Sequence, residues 1–319
     1  MPKVIFFTNL VPELAGQIVA PAPAGWDVQV HSAKLPVAQK AAAAADADFL
    51  ILFPPVLEVE VLEAAQKLKL IQLVSAGFDQ MPIDAIAARG IPVANNGGTN
   101  SIDVAEHTIA LMLGVYRLMP QMDRNVRNDN WKVIDSGLHT FTIHGKTVGI
   151  IGLGHIGRQV AQRLAPFGAE LIYYDPYPAK PEVEQALGVE RCTLDDLLRR
   201  ADIVTLHVPL NEQTRHIIDA RALSLMKPTA VVINTCRGPV IDEPALTAAL
   251  QEGRIRGAGL DVLDKEPPAA GNPILQLENV LFSPHSAGVT YDTWQRRGAF
   301  IFQNLQRVAN GEKPLAVIG

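Results

Sequence analysis

The stretch TVGIIGLGHIGRQVAQRL, residues 147–164, restricts the possible fold more than any other part of the sequence. Five mostly apolar residues predict a buried strand, and the residues after the glycines predict a helix. Between them, Gly152, Gly154 and Gly157 form the pattern G-x-G-x-x-G. In such a turn the glycines allow a tight bend, close backbone approach to a pyrophosphate and close packing of helix on sheet. Because amides at the helix N-terminus face the anion, we expect a dinucleotide-binding unit here.

The strand predicted after this helix ends at Asp175, eighteen residues beyond Gly157. An acid at this position accepts hydrogen bonds from the hydroxyls of an adenosine ribose, and its charge repels the additional phosphate of NADP. The chain continues with Pro176, Tyr177 and Pro178, so no arginine follows at once. Taken alone, Asp175 could be a solvated carboxylate at a strand end, but with the complete motif it predicts NAD as the cofactor.

Short apolar runs alternate with helical patterns in both halves of the chain, which predicts parallel sheets covered on both faces. The fold class is therefore α/β, with two doubly wound parallel-sheet domains. The predicted strands of the first series are residues 4–9, 27–32, 49–54, 70–76 and 92–97. Those of the second series are residues 147–151, 170–175, 202–208, 230–235, 257–262 and 280–283.

Residues 101–120, SIDVAEHTIALMLGVYRLMP, predict one long helix. Ser101 can cap this helix, and Asp103 lies in its first turn, where the helix dipole favours negative charge. Apolar residues surround the middle of the helix on almost every side, which predicts that every side is buried. We therefore expect the helix to pack against its own domains and against a second subunit.

The bulk properties exclude several classes of partner. The formal net charge is −5 and no long run carries one sign, which argues against nucleic acid or an anionic membrane as a main partner. The apolar run at the start is too short for a signal peptide, and no apolar stretch approaches the ~20 residues that span a bilayer. The two cysteines lack metal-site spacing, and no metal is expected. These features favour a cytoplasmic protein.

Polar residues follow three strands of the second series. Arg237 follows 230–235, Glu266 follows 257–262 and His285 follows 280–283. In the sheet order 3-2-1-4-5-6, ligands bind at the switch between strands 1 and 4. Numbering 230–235 as strand 4 places Arg237 at this switch point, where its planar guanidinium suits a carboxylate.

Considered one at a time, these residues also have structural explanations. Arg237 could cap a helix, Glu266 could be an acid in a surface turn, and His285 could be a histidine of the core. Together, beside a nicotinamide, they predict proton transfer coupled to hydride transfer. Cys236, next to Arg237, suggests sensitivity to thiol reagents by blockage and not nucleophilic catalysis.

With these motifs the chain resembles the D-isomer-specific 2-hydroxyacid dehydrogenase family. The matching pieces are VSAGFDQMPIDAIAARGIPVANNGG, NSIDVAEHTIALML, VGIIGLGHIGRQVA, VINTCRGPVIDEPAL, AGLDVLDKEP and FSPHSAG, in the family's order. The resemblance implies a flavodoxin-like substrate domain, residues 1–99 and 289–319, with a Rossmann NAD-binding domain, residues 100–288, inserted into it. It also implies a site in the cleft and a homodimer built around the long helix.

The resemblance further implies roles for individual residues. Arg237 matches the arginine that holds the substrate carboxylate and keto oxygen, His285 matches the acid/base, and Glu266 matches the carboxylate that orients this histidine. Backbone amides of Ser75, Ala76 and Gly77 match the loop that grips the substrate carboxylate. Asp261 matches the residue that binds the nicotinamide amide. The expected cofactor contacts are Gly152, Gly154, His155, Ile156, Gly157, Asp175, His207, Pro209, Thr214, Thr235, Cys236, Asp261 and Gly288.

The predicted function is hydride transfer between NAD(H) and a small 2-hydroxyacid or 2-ketoacid of the glyoxylate/hydroxypyruvate, D-lactate or phosphoglycerate type. His285 would supply the proton to the keto oxygen in reduction. A formate-dehydrogenase-like enzyme is one alternative, because GGTNSIDVAEH with Asn100 resembles that pattern, although those enzymes carry glutamine in place of Glu266. An NAD-sensing, corepressor-like interaction protein is another alternative.

Overall fold

The structure is a computed structural model in which residues 1–131 and 134–318 are described. The chain forms two compact units, one made of Met1–Asn100 with Val289–Gly319 and the other of Ser101–Gly288. The second unit is therefore a single stretch of chain that interrupts the first. Gly319, the last residue of the predicted substrate domain, and residues 132 and 133 of the predicted NAD-binding domain lie outside the described residues.

The first unit is a six-stranded sheet with helices on both faces. Its strands are β1 (Lys3–Thr8), β2 (Asp27–Ser32), β3 (Phe49–Phe53), β4 (Leu70–Leu73), β5 (Val93–Ala94) and β13 (Val317–Ile318). Its helices are α1 (Pro12–Val19), α2 (Val37–Ala44), α3 (Val59–Ala64), α4 (Ile83–Ala87) and α12 (Tyr291–Ala309). The five parallel strands run in the flavodoxin-like order 2-1-3-4-5, and β13 adds an antiparallel edge beside β5. The predicted α/β class is confirmed.

The C-terminal helical pattern forms α12, which packs against α1 and β4. Its apolar face, including Trp294 and Phe302, joins one core cluster with one of the two buried faces of β1. Gly298 allows the close crossing of the two helices, because a Cβ there would lie 2.7 Å from the carbonyl oxygen of Ile18 in α1. The buried amide of Asn304 donates a 2.8 Å hydrogen bond to Gln72 on β4, which fixes the helix on the sheet.

The second unit is a seven-stranded parallel sheet in the order β12-β11-β10-β9-β6-β7-β8. The strands are β6 (Thr147–Ile151), β7 (Glu170–Tyr174), β8 (Val189–Arg191), β9 (Ile203–Leu206), β10 (Val231–Asn234), β11 (Gly257–Leu260) and β12 (Val280–Phe282). The helices are α5 (Ser101–Tyr116), α6 (Met119–Arg127), α7 (His155–Leu164), α8 (Pro181–Leu187), α9 (Leu194–Arg200), α10 (Ala220–Leu225) and α11 (Glu243–Gln251). This is the Rossmann order with one further strand at the β12 edge.

Strand β8 was missing from the predicted set, and its presence corrects the position of Arg237. In β8 only Val189 is buried, while Glu190 and Arg191 are exposed, so the segment has no apolar run. With β8 as the third strand, β9 is the fourth and stands next to β6, and β10 is the fifth. Arg237 therefore follows the strand beyond the switch point, and the predicted placement at the switch is wrong. The residue that follows β9 at the switch is His207.

The predicted long helix is divided in two. Helix α5 begins at Ser101, has Asp103 in its first turn and ends at Tyr116, and α6 begins at Met119. Between them Leu118 has a left-handed φ of 51°. Pro120 lies in the first turn of α6, and inside a continuous helix its ring would clash with the carbonyl of Tyr116. Among the described residues no helix has both the length and the apolar character needed to cross a bilayer.

Candidate active site and cofactor loop

The three glycines of the turn after β6 have three different surroundings. Gly152 has a φ of +92°, and a Cβ there would lie 2.5 Å from the carbonyl oxygen of His207. At Gly157 a Cβ would lie 2.1 Å from the carbonyl oxygen of Gly152, so only glycine lets α7 pack this closely. At Gly154 nothing lies within 4 Å of the Cβ position. This open space at the N-terminus of α7 is what a bound pyrophosphate requires, and the loop therefore fits NAD. His155 and Ile156 form the first turn of α7.

Asp175 ties the end of β7 to the glycine loop. Its Oδ2 accepts a 2.9 Å hydrogen bond from the amide of Leu153, and its Oδ1 accepts one of 2.9 Å from the amide of Tyr177. The guanidinium of Arg191, at the end of β8, donates a 3.2 Å hydrogen bond to the carbonyl oxygen of Asp175. The sequence interpretation missed this arginine because it comes from the neighbouring strand, sixteen residues later in the chain.

The edge of β9 presents His207 beside the glycine loop. The amide of His207 donates to the carbonyl of Ile151 at 2.8 Å, and its Nε2 lies 2.9 Å from the hydroxyl of Thr205. The residue is partly exposed, but its Nδ1 is buried and has no hydrogen-bond partner in the described part of the chain. Burial lowers the pKa of His207 to about 3, so the ring is neutral at physiological pH. Pro209 and Thr214 form the following turn, which the Thr214 hydroxyl closes by donating to the Pro209 carbonyl at 2.6 Å.

Asn234, the last residue of β10, shapes the turn that presents Arg237. Its Oδ1 accepts from the amide of Cys236 at 3.0 Å, and its Nδ2 donates to the carbonyl of Arg237 at 2.9 Å. The guanidinium of Arg237 is half-buried and donates to the carbonyl of Cys236 at 2.7 Å. Sequence reasoning missed Asn234, although a buried polar residue at the end of an apolar strand was a signal.

Cys236 is buried, and burial raises the pKa of its thiol to about 11. A protonated, inaccessible thiol is a poor nucleophile. The expected sensitivity to thiol reagents is therefore contrary to the structure.

Thr235 is also buried and connects β10 to α5. Its hydroxyl lies 3.0 Å from that of Thr108, which itself donates to the carbonyl of Val104 at 2.7 Å. Because Thr108 uses its single proton there, Thr235 must donate to Thr108.

Gly288, another expected cofactor contact, is the last residue of the second unit.

The turn carrying Arg237 packs directly on the loop carrying Glu266. A Cβ on Gly238 would lie 1.9 Å from the carbonyl oxygen of Leu263, so glycine is required for this approach. The Glu266 loop is held further by Glu243 on α11, whose carboxylate accepts from the amide of Asp264 at 2.9 Å. These contacts keep the Arg237 turn and the Glu266 loop in one arrangement.

Glu266 and His285 are in contact. His285 Nδ1 lies 2.7 Å from Glu266 Oε2, and Glu266 Oε1 accepts from the amide of Leu263 at 3.1 Å. An ionised carboxylate only accepts hydrogen bonds, so Nδ1 carries a proton and Nε2 is left for a reacting group. The side chains are 48% and 37% exposed for His285 and Glu266, so a substrate can reach the imidazole.

One residue, Asp261, holds the turn that carries His285. The amides of His285, Ser286 and Ala287 donate in succession to the carbonyl oxygen, Oδ1 and Oδ2 of Asp261, at 2.7, 2.9 and 2.9 Å. These three bonds support the left-handed φ of 53° at His285, which most residues avoid. Asp261 is 2% exposed, and both of its carboxylate oxygens accept hydrogen bonds from its own chain.

The predicted carboxylate-binding turn lies in the first unit, directly after β4. The Ser75 hydroxyl donates to the carbonyl of Gly77 at 2.9 Å, and the side chain of Asn95 donates to the carbonyl of Ala76 at 3.1 Å. The amide of Asn96 donates to the carbonyl of Ser75 at 3.1 Å. The turn is thus held by its own hydroxyl and by the segment after β5.

Similarity to known proteins agrees with this geometry. Residues 109–287 match the family described as "D-isomer specific 2-hydroxyacid dehydrogenase, NAD binding domain". The chain is 42% identical over 254 residues, 79% of its length, to D-3-phosphoglycerate dehydrogenase of Methanocaldococcus jannaschii, of which the match covers 48%. It is 39% identical over 272 residues to glyoxylate reductase of Korarchaeum cryptofilum, covering 84% of this chain and 82% of that protein. The apo structure of Rhodotorula graminis D-mandelate dehydrogenase superimposes with a TM-score of 0.86 at 28% identity, covering 100% of this chain and 98% of the other.

Proposed function

This chain belongs to the D-isomer-specific 2-hydroxyacid dehydrogenase family, and on that premise we propose that it is an NAD-dependent enzyme that interconverts a small 2-ketoacid and the corresponding 2-hydroxyacid. The observation that carries the proposal is the 2.7 Å contact of Glu266 with His285. It supplies a proton-transfer group in the same unit as the NAD-type glycine loop. The chain spans about half the length of the phosphoglycerate dehydrogenases it matches, so their substrate is one candidate among several.

The residues that would hold NAD are those of the glycine loop, Asp175 and the turns after β9 and β10. The open space beside Gly154 would receive the pyrophosphate, and the Asp175 carboxylate would accept hydrogen bonds from the hydroxyls of the adenosine ribose. When bound, NAD(H) accepts or supplies the hydride. The residues of this chain do the remaining work: they orient the ketoacid and move a proton.

Arg237 and His285 are the proposed catalytic residues. The Arg237 guanidinium would bind the substrate carboxylate and stabilise charge that grows on the keto oxygen. In reduction, the cationic His285 would donate its Nε2 proton to that oxygen while Nδ1 stays bonded to Glu266. In oxidation, the neutral ring would accept the hydroxyl proton at Nε2. Backbone amides of Ser75, Ala76 and Gly77 are proposed to bind the substrate carboxylate as well.

The pairing of Glu266 with His285 supports a 2-hydroxyacid over formate. Oxidation of formate to carbon dioxide moves a hydride but releases no hydroxyl proton, so it needs no acid/base pair. A carboxylate that stabilises imidazolium is useful only where a proton is exchanged. The sequence alternative of a formate-dehydrogenase-like enzyme is therefore disfavoured.

The test is loss of NADH absorbance with glyoxylate, hydroxypyruvate, pyruvate and 3-phosphohydroxypyruvate. We expect His285→Ala to lower kcat/KM by about 10²- to 10⁴-fold on the active ketoacid, with the NADH Kd changed less than about twofold. His31→Ala, a histidine on β2 in the other unit, is the matched control. Binding of NADH without turnover of any ketoacid would instead support an NAD-sensing interaction protein.

Glu266→Gln tests the proton-transfer role directly. The substitution preserves shape and removes the charge that stabilises the His285 cation. Reduction should begin to decline at a lower pH than in the unmodified enzyme, and the acid limb of oxidation should also move down. Near neutral pH oxidation should suffer less than reduction. If the pH profiles of reduction and of oxidation were both unchanged in Glu266→Gln, Glu266 would not be part of the catalytic site.

A homodimer is part of the proposed function. Among the described residues of the segment 119–138, five large apolar side chains are more than half exposed: Met119, Val126, Trp131, Ile134 and Leu138. Exposed apolar surface of this kind marks an interaction site, and the segment continues directly from α5. Light scattering should give a dimer mass that Ile134→Asp lowers and that Val11→Asp, also at an exposed apolar residue, leaves unchanged.

A cytoplasmic location is also proposed. Both cysteines are free thiols, as in reducing compartments. Cell fractionation tests it, and recovery of the protein with a membrane or an oxidising compartment would refute it.

A further inference from the structure

His107 on α5 reaches the carboxylate of Asp261 through one serine. His107 Nε2 lies 2.8 Å from the Ser283 hydroxyl, and this hydroxyl lies 2.6 Å from Asp261 Oδ1. The direct distance from His107 Nε2 to Asp261 Oδ1 is 3.7 Å, too long for a hydrogen bond. The three side chains come from separate segments, with His107 and Ser283 176 residues apart.

The direction of each hydrogen bond follows from chemistry. The buried carboxylate of Asp261, when ionised, only accepts, so Ser283 must donate its single proton to Oδ1. The Ser283 oxygen then accepts from His107, whose Nε2 must therefore carry a proton. The chain of donors runs from His107 through Ser283 to Asp261, and it requires the Nε2–H form of His107.

The Asp261 carboxylate at the end of this chain also binds the His285 turn. Oδ1 accepts both the Ser283 hydroxyl and the amide of Ser286, and Oδ2 accepts the amide of Ala287. The orientation of the carboxylate therefore sets the course of the backbone on the C-terminal side of His285. Hydrogen bonds to a charged group are the stronger ones, so the donors that fix the carboxylate also fix the turn.

We propose that His107 and Ser283 are positioning residues for the acid/base His285, acting through the Asp261 carboxylate. The relay, defined as His107, Ser283 and Asp261, joins α5 to the catalytic turn. This inference rests on the proposed function, because the effect of the relay is measured through the orientation of His285 Nε2 toward the substrate. A misplacement of about 1 Å in such a group can cost on the order of 10²-fold in rate.

The experiment compares two pairs of variants in the full-length protein. Ser283→Ala removes the hydroxyl and Ser283→Thr retains it; His107→Leu removes the donor and His107→Gln retains one. We expect each removing variant to lower kcat about tenfold, a larger effect than any change in the KM for the ketoacid or the Kd for NADH, because NADH would be held mainly through its phosphates and ribose. Each retaining variant should recover most of the loss. Ser224→Ala, a remote exposed serine on α10, is the control and should change nothing.

The pH profile separates the relay from the Glu266 contact. The relay does not touch the imidazole of His285, so the pH limbs of the removing variants should stay where they are. An unchanged kcat in both removing variants would overturn the proposal, as would an equal loss of NADH affinity. If Ser283→Ala does not fold, the His107 pair carries the same comparison.

A readout independent of turnover is the tautomer of His107, measured by long-range ¹H–¹⁵N NMR. We expect the Nε2–H form near neutral pH, and a change in its Nε2 shift in Ser283→Ala but not in Ser283→Thr. A dominant Nδ1–H form would overturn the relay. If no ketoacid were turned over while NMR showed the Nε2–H form coupled to Ser283, the relay would stand and the proposed function would fail.

Discussion

Replacing Gly154 by alanine should separate cofactor binding from folding. The backbone of Gly154 is extended, with φ −75° and ψ −156°, which alanine adopts without strain, and nothing lies within 4 Å of the added Cβ. Alanine is a poorer residue than glycine at a helix N-terminus, but it also restricts the unfolded chain. These effects oppose each other, so the free energy of unfolding should change by less than about 1 kcal/mol.

NADH affinity should fall much more, because the methyl group occupies the space proposed for the pyrophosphate. Loss of one hydrogen bond to a charged group costs about 1.5–3 kcal/mol. That corresponds to an increase of about 10- to 100-fold in the NADH Kd. The matched variant is Gly157→Ala, whose Cβ would lie 2.1 Å from the carbonyl oxygen of Gly152. It should lower the free energy of unfolding by about 1–3 kcal/mol or more through overpacking.

The assays are urea unfolding without cofactor and NADH binding by calorimetry or fluorescence. Wild-type NADH affinity in Gly154→Ala would refute the placement of the pyrophosphate. A loss of stability in Gly154→Ala equal to that in Gly157→Ala would show that the glycine is required for the fold and would refute the reasoning from open space.

Three further predictions concern single side chains. Asp175→Ala should weaken NAD binding and improve use of NADP, and adding Arg191→Gln should remove that gain, because the Arg191 guanidinium hydrogen-bonds to the backbone carbonyl of Asp175 and is available to the additional phosphate. Steady-state kinetics with both cofactors tests this, and an unchanged preference in Asp175→Ala contradicts it. Burial lowers the pKa of His207 to about 3 in the folded state, whereas a histidine in the unfolded chain has the ordinary pKa of ~6.5. As the pH falls below that ordinary pKa, the unfolded state therefore binds a proton at His207 and the folded state does not. The contribution of His207 should therefore lower the free energy of unfolding by up to about 1.4 kcal/mol per pH unit, and by about 2 kcal/mol in total at about pH 5. Urea unfolding of His207→Gln should show a free energy of unfolding that depends correspondingly less on acid pH. Burial raises the pKa of Cys236 to about 11, so an alkylating reagent should label the partly exposed Cys192 first and Cys236 only on unfolding. Mass spectrometry measures the labelling, and rapid labelling of Cys236 in the native protein would contradict its burial.

The sequence by itself determined those features that depend on neighbours in the chain. The strand at residues 147–151 has the predicted bounds, because five mostly apolar residues followed by a glycine turn leave few other conformations. The alternation of strands and helices was enough for the α/β class, since buried parallel strands read as continuous apolar runs. The placement of Glu266 and His285 at one edge of the sheet followed from the predicted strands at residues 257–262 and 280–283, and their contact was implied by the family resemblance.

Tertiary structure decided the features that depend on residues far apart in the chain. Strand β8 has one buried residue and forms only because β7 offers an open edge for pairing, so its sequence carries no strand signal. Its presence moved Arg237 one strand away from the switch point and brought Arg191 to Asp175. The relay of His107, Ser283 and Asp261 likewise has no sequence pattern. A hydrogen bond between residues 176 positions apart exists only after α5 has packed on the sheet, and no local propensity records which polar side chains that packing brings together.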